Sequence, residues 1–184
     1  FWFGHRLAST HRGGAAGRCA AFDTAISLAT NPGRTVSDFL KYEQQGSIVT
    51  LTMNAPEVRN ALTNNSAVDE FVAAVERINA DPSVRVMILT GAGRAFCAGL
   101  DLKELGSGQA TLGGGEHGVT PHDPVAALQR FSGPVIGAIN GAAVTGGFEL
   151  ALACDVLLAS PAARFADTHA RIGVAPGWGL SQKL

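Results

Sequence analysis

The chain has 184 residues, of which 46% are hydrophobic and 16% are charged, and its formal net charge is −1. This length and composition are typical of one soluble globular domain with a sizeable core. The small net charge and the lack of a long apolar run argue against nucleic-acid-binding and membrane-spanning classes of protein, so we expect no nucleic-acid partner and no membrane partner.

Residues 1–35 differ from the rest of the chain. They are rich in Arg, His and Gly and have no sustained hydrophobic period. An arginine-rich stretch of this kind is compatible with a targeting segment. We favour the interpretation that residues 1–35 are translated from sequence upstream of the natural start. They would then form a non-core N-terminal extension, for which disorder is one expectation. The core domain then comprises residues 36–184.

The first part of the core predicts a hairpin, a helix and a strand. Two β-rich runs, 40–43 and 48–53, flank a glycine turn, which is typical of a hairpin. Residues 64–79 predict an amphipathic helix, because apolar residues recur at helical spacing: Val68, Phe71, Val72, Val75 and Ile78. A short apolar run at 84–89 predicts a strand.

The second part continues the alternation of strands and helices. A glycine-rich loop is predicted at 106–124 and a helix at 125–131. A buried strand is predicted at 135–139 and a further strand at 155–159, with a buried helix at 148–154 between them. This repeated alternation indicates the α/β fold class.

Two glycine-bearing segments, 95–103 and 140–150, lie where an apolar strand gives way to a turn or helix. Such junctions leave backbone N–H groups without internal partners, and two of them side by side could hold a negatively charged oxygen. Glu149 follows the second junction within an otherwise apolar helix, where a carboxylate must be paired, solvated or functional. The alternative is a partly exposed helix glutamate. The arrangement suits chemistry at a carbonyl.

The three cysteines, Cys19, Cys97 and Cys154, are widely spaced. Neither a zinc site nor a disulfide framework is expected, and the reducing cytoplasm is the default compartment. His117 and His122 have too few companions for a metal site. Residues 91–96 only half-match a dinucleotide fingerprint, so a Rossmann interpretation is poor.

Four motifs, at 54–62, 95–105, 140–155 and 164–180, occur in an order and at a spacing that resemble the crotonase family, also called the enoyl-CoA hydratase/isomerase superfamily. The resemblance covers roughly Phe39 to the last residue. It implies the ββα spiral of the crotonase fold. It also implies a core that is incomplete at the C-terminus, because family members continue into a helical section that packs on the core. An apolar surface would then be uncovered.

The resemblance implies an oxyanion hole formed by the backbone N–H groups of Leu100 and Gly146, which would polarise the thioester carbonyl of an acyl-CoA. The alternative is that Gly146 and Gly147 only allow close helix packing. The family's coenzyme A site maps to Ala98, Leu100, Asp101, Leu102 and Lys103, with Gly146 and, less directly, Arg59.

Glu149 matches the first of the two catalytic glutamates of hydratases, which implies that it deprotonates the attacking water. His169 stands where hydratases carry the second glutamate. Histidine can also donate a proton, but the alternative of a pocket residue with no proton-transfer role stays open. Asp167 either orients the imidazole or lies on the surface.

The function implied is that of an enoyl-CoA hydratase-like lyase in fatty acid and lipid metabolism, with no metal or redox cofactor because coenzyme A is part of the substrate. A homotrimer or hexamer is implied for the full-length protein. The rivals are enoyl-CoA isomerase, acyl-CoA thioester hydrolase and an inactive acyl-CoA-binding protein. A scaffold subunit is a further alternative.

Overall fold

A computed structural model describes residues 39–62, 65–99 and 123–184. The predictions for residues 1–35, for Leu100 to Lys103 and for most of the 106–124 loop therefore lie outside the described residues. The described strands are β1 (Leu40–Gln45), β2 (Ile48–Met53), β3 (Val86–Gly91), β4 (Ala95–Cys97), β5 (Val135–Ile139), β6 (Ala142–Val144), β7 (Val156–Ala159) and β8 (Arg164–Ala166). The described helices are α1 (Asn65–Asn79), α2 (Pro124–Gln129), α3 (Gly146–Leu152) and α4 (Leu180–Lys183), with 3₁₀ helices at Pro56–Val58 and Ala170–Ile172.

The larger sheet has five strands in the order β1-β2-β3-β5-β7. Strands β1 and β2 form the predicted antiparallel hairpin, which turns at Gly46 with a φ of 59°. The other neighbours in this sheet are parallel. Parallel neighbours need crossover connections, and with helices among those connections the predicted α/β class is confirmed.

The smaller sheet contains three parallel strands in the order β4-β6-β8. Each of these strands has only three residues. A run of three residues is too short to show a hydrophobic period, and the sequence did not predict any of them. This sheet matters for the site because β4 and β6 end at the two glycine junctions.

Helix α1 packs its predicted apolar face into the core. The five residues that define its period are all buried, and they join one hydrophobic cluster with residues of β2, β3 and β5. The predicted strand at 84–89 begins two residues later, at Val86, because the amide of Val84 closes a turn onto the carbonyl of Asp81. Helix α2 begins one residue before its predicted start, with Pro124 after the capping side chain of Asp123.

The predicted strand at 155–159 is confirmed as β7, which begins at Val156, lies at the edge of the larger sheet and is exposed along its whole length. Leu158 is the most exposed of its apolar residues, at 61%. In the smaller sheet, Phe165 is also exposed, and its ring packs on Phe148 with 5.2 Å between the centroids. Among the described residues, no helix is long and apolar enough to cross a bilayer.

Candidate active site

The two glycine junctions lie side by side. Gly99 follows β4 with a φ of 82°, a conformation that L side chains rarely adopt. A Cβ atom at this position would lie 3.0 Å from the amide nitrogen of Gly146 and 2.7 Å from the carbonyl oxygen of Val144. The close approach of the two backbones therefore requires glycine at position 99. Leu100, the next residue, lies outside the described residues.

The segment around Asn60 holds the first junction in place. Asn60 is fully buried, and its Nδ2 donates to the carbonyl oxygens of Ala92 and Ala95 at 2.9 Å each. The amide of Ala98 donates to the carbonyl oxygen of Arg59 at 3.0 Å. The Arg59 side chain is exposed. Arg59 and Ala98, two of the predicted substrate-binding residues, are thus neighbours through their backbones.

Thr145 shapes the second junction. It has a φ of 53° and a ψ of −118°, a strained combination for a β-branched residue. Its amide donates to the carbonyl oxygen of Ala166 at 2.9 Å, and its hydroxyl forms a hydrogen bond with the hydroxyl of Thr168. These bonds tie the turn that precedes Gly146 to the segment that carries His169.

Gly146 and Gly147 begin α3 and have different surroundings. A Cβ atom on Gly147 would lie 2.0 Å from the carbonyl oxygen of Cys97, so close packing explains this glycine. A Cβ atom on Gly146 would lie 2.8 Å from the indole ring of Trp178. Among the described residues, the amide of Gly146 has no backbone acceptor. Its N–H group is therefore available at the positive end of the α3 dipole.

Glu149 is buried, at 2% exposure, so the alternative of a partly exposed helix glutamate is wrong. Its Oε1 accepts hydrogen bonds from the amides of Trp178 at 2.8 Å and Leu180 at 3.2 Å. Its Oε2 lies 3.5 Å from Nε2 of His169. The two carboxylate oxygens therefore have separate tasks, one fixed by the backbone and the other facing the imidazole.

His169 is buried, at 4% exposure, between two carboxylates. Its Nδ1 lies 2.7 Å from Oδ1 of Asp167, and its backbone amide donates to the same oxygen at 3.0 Å. These bonds, the backbone one first, lower the pKa of Asp167 from its ordinary value of 3.8. Asp167 is a partner of the imidazole, although its own side chain is 40% exposed.

The cysteines of the described core do not supply a nucleophile. Burial raises the pKa of the Cys97 thiol to about 12, so it stays protonated near neutral pH. The pKa of Cys154 is also raised to about 12, first by burial and then by the charge of Asp155. Within residues 39–62, 65–99 and 123–184, no three acidic, His or Cys side chains are grouped as metal ligands.

Sequence reasoning missed how Glu149 is held. No side chain in residues 176–180 predicts a contact with Glu149, whereas the amides of Trp178 and Leu180 bind the carboxylate. Backbone donors leave no signature in side-chain identity. The only available signal was the pair of glycines around Trp178, which allows the chain to turn tightly beside a carboxylate.

Comparisons of the sequence and of the fold with known proteins both point to one family. The sequence family described as enoyl-CoA hydratase/isomerase matches residues 43–184. The chain is 47% identical over 142 residues to the probable enoyl-CoA hydratase 1, peroxisomal, of Arabidopsis thaliana, covering 77% of this chain and 52% of that protein. It is 36% identical over 143 residues to the short-chain-enoyl-CoA hydratase of Clostridium acetobutylicum, covering 77% of this chain and 54% of that protein.

A solved structure of the enoyl-CoA hydratase from Mycobacterium tuberculosis H37Rv superposes with a TM-score of 0.66 at 50% identity, covering 79% of this chain and 57% of that one. A second, from Geobacillus kaustophilus, gives a TM-score of 0.67 at 37% identity, with 80% and 56% covered. The chain spans about half the length of the curated relatives it matches.

Proposed function

Because this chain belongs to the enoyl-CoA hydratase/isomerase family, we propose that it adds water to 2,3-unsaturated acyl-CoA thioesters, as an enoyl-CoA hydratase-like lyase. The observation that carries the proposal is the buried pair of Glu149 and His169, which lie 3.5 Å apart, with Glu149 on the helix α3 that begins at Gly146. A buried carboxylate beside an imidazole is a typical acid–base arrangement.

In the proposed reaction, Glu149 is the general base. Oε2 takes a proton from a water molecule as the water oxygen attacks the β-carbon of the enoyl group. Oε1 is held by two backbone amides, so the carboxylate keeps its orientation while Oε2 takes the proton. Fixed orientation of the base contributes to the rate because the reacting atoms meet in productive geometry.

His169 supplies the second proton. The imidazolium gives its Nε2 proton to the α-carbon, and the electrons of the double bond complete the new C–H bond. The proton that Glu149 gained then returns to Nε2 once the two side chains, 3.5 Å apart, close to hydrogen-bond distance. This transfer restores both groups, so the net reaction consumes one water and no other reagent.

The N–H groups of Gly146 and Leu100 are the proposed oxyanion hole. Attack on the β-carbon pushes negative charge onto the thioester oxygen, and preorganised donors stabilise that charge by about 3–4 kcal/mol each in comparable sites. Among the described residues the amide of Gly146 has no backbone acceptor, and this amide lies close to Gly99; both observations support the assignment. Leu100 follows Gly99 directly in the sequence.

Coenzyme A is proposed to bind along the first junction. Ala98, Asp101 and Leu102 would line its path, and Lys103 and Arg59 would neutralise its phosphates. The reaction as written needs no metal and no redox cofactor. A trimer or pair of trimers is proposed for the full-length protein on the family resemblance alone. A cytoplasmic site of action is proposed from the cysteine usage.

Incubation with crotonyl-CoA tests the proposal, using the protein in the complete form that its source makes. Hydration removes the conjugated-thioester absorbance while the CoA ester stays intact, and mass spectrometry finds the product one water heavier. Release of free CoA would indicate a thioester hydrolase instead. A shifted double bond at unchanged mass, seen with a 3-enoyl-CoA, would indicate an isomerase.

One observation favours a second candidate, an acyl-CoA-binding protein without turnover. The ring of Trp178 would lie 2.8 Å from a Cβ atom on Gly146, so a bulky side chain stands beside one of the two residues of the proposed oxyanion hole. Tight binding of a CoA ester with no change in absorbance or mass would support this candidate. Replacement of Trp178 by Ala would then strengthen ester binding.

A further inference from the structure

Asp167 contacts both the backbone and the ring of His169 through a single oxygen. Its Oδ1 accepts the backbone amide of His169 at 3.0 Å and also lies 2.7 Å from Nδ1 of the same residue. The backbone contact is an Asx-type turn, in which the side chain bonds the amide two residues later. Because both contacts use Oδ1, the turn that fixes the carboxylate also fixes the edge of the imidazole ring.

The opposite edge of the ring faces Glu149. Among the described residues, Asp167 and Glu149 are the acidic side chains within 4 Å of the imidazole, and they lie at different ring nitrogens. The Nδ1 contact is 2.7 Å long, and the Nε2 contact is 3.5 Å long. The contact of Nδ1 with Asp167 is a hydrogen bond. The contact of Nε2 with Glu149 is longer than a normal hydrogen bond, so Nε2 can bond to a group other than Glu149.

The backbone around His169 is also restrained. Its carbonyl oxygen accepts the amides of Ile172 and Val174 at 3.1 and 3.0 Å. The preceding residue, Thr168, is bonded through its hydroxyl to Thr145. These bonds fix the backbone that carries the ring. A turn of the ring itself would break the contact of Nδ1 with Asp167, so the two nitrogens keep distinct partners.

We propose that Asp167 is a positioning residue that keeps a proton on Nδ1 of His169, so that Nε2 is the nitrogen that gives and regains the proton in catalysis. An ionised carboxylate can only accept a hydrogen bond, so Nδ1 must stay protonated whether the ring is charged or neutral. This role rests on the proposed hydration. The lowered pKa of Asp167 agrees with it, because an ionised acceptor is then present at neutral pH.

Two substitutions separate the orientation of the ring from the charge beside it. Asp167→Asn keeps an oxygen at Oδ1, because the His169 amide selects the oxygen of the new side chain rather than its NH₂ group. Asp167→Ala removes both the acceptor and the charge. Asp123→Asn is a matched control, since Asp123 also accepts a backbone amide through Oδ1 but caps α2 instead.

The first readout is the tautomer of His169, from long-range ¹H–¹⁵N NMR spectra at a pH where the ring is neutral. A His169→Gln sample identifies the signal among the five histidines. We expect the proton on Nδ1 in the wild type, in Asp167→Asn and in Asp123→Asn. In Asp167→Ala we expect the proton to move to Nε2, where the Glu149 carboxylate is the remaining acidic acceptor.

The second readout is hydration kinetics. We expect kcat of Asp167→Ala to fall on the order of 10-fold to 100-fold, as for other partners that orient a histidine, with KM changed less than about threefold. Asp167→Asn should give an intermediate kcat. A wild-type ring protonated on Nε2, or an unchanged tautomer in Asp167→Ala, would overturn the positioning role. Absence of hydration in the wild type would overturn the proposed function, and the tautomer would still decide the positioning role.

Discussion

Oε1 of Glu149 accepts the backbone amide of Trp178 at 2.8 Å, across 29 residues of sequence. With the second amide, from Leu180, this bond fixes a carboxylate that would otherwise turn freely in an apolar helix. The catalytic proposal and the stability of the 176–180 segment therefore depend on the same side chain. The catalytic role and the structural role of Glu149 can be separated, because one substitution removes only its charge and another removes the hydrogen-bond acceptor as well.

Glu149→Gln should leave stability close to that of the wild type, whereas Glu149→Ala should not. Glutamine keeps an oxygen for the amides of Trp178 and Leu180. Alanine leaves both N–H groups without that acceptor and opens a cavity, which should lower the free energy of unfolding by about 2–4 kcal/mol. Urea unfolding of the three proteins checks this, and equal losses in both variants would contradict the assignment of the two bonds.

Thr145→Gly should be more stable than Thr145→Val. Both variants lose the hydroxyl bond to Thr168, but only glycine relieves the strain of a φ of 53°. That strain is about 1–3 kcal/mol and exceeds the entropy cost of glycine, about 0.5–1 kcal/mol, so we expect a difference of about 1 kcal/mol.

Thr168→Val is the control for the Thr145 pair, because it breaks the same hydroxyl bond and leaves the backbone strain in place. It should match Thr145→Val, and the double variant should cost little more than either single one. Thermal melts at one pH are sufficient. A glycine variant less stable than the valine variant would show that the turn at Thr145 is not strained.

Asn60→Asp should destabilise the protein by about 3 kcal/mol or more. Aspartate tolerates the left-handed backbone at this position and can still accept the amide of Ala55. It cannot donate, and its charge would face the carbonyl oxygens of Ala92 and Ala95. Asn79→Asp is the control, because Asn79 only accepts an amide at an exposed site. Similar unfolding midpoints for the two variants would refute the buried network.

Cys97 should make stability fall at alkaline pH. Its pKa is raised from 9.0 to about 12 by burial, so the unfolded chain loses this proton first. The contribution of the protonated Cys97 thiol to the free energy of unfolding is complete below pH 9. It is lost as the pH rises from 9 toward 12, by up to about 1.4 kcal/mol per pH unit. Denaturation curves between pH 8 and 11 should show a shallower decline in Cys97→Ala. An identical decline in that variant and the wild type would contradict the burial of the thiol.

Much of the larger sheet could be predicted because its signals are local. The hairpin at β1 and β2, helix α1 and strand β5 each have enough residues to show a period or a buried run, and all three are confirmed. The short strands β4, β6 and β8 could not be predicted, because a three-residue strand forms only where a neighbouring strand supplies its hydrogen bonds.

The candidate site was predicted in its parts but not in its connections. Glu149 could be predicted as a site residue because a carboxylate in an apolar helix must be paired, solvated or functional. Its backbone donors at 178 and 180 depend on how distant segments meet, whereas the contact of Asp167 with His169 is local and was one of the two predicted alternatives. Sequence spacing cannot supply those distances. Leu100 and Lys103 lie outside the described residues, so their proposed roles stay predictions.

The rate of crotonyl-CoA hydration in Glu149→Gln tests the central claim most directly. Glutamine keeps the backbone bonds of the site but cannot accept the proton of water, so the rate should fall on the order of 10²-fold to 10⁴-fold. Glu76→Gln, which alters an exposed glutamate paired with Arg130, should stay within about twofold of the wild type. A Glu149→Gln protein that hydrates at a rate close to that of Glu76→Gln would contradict the account.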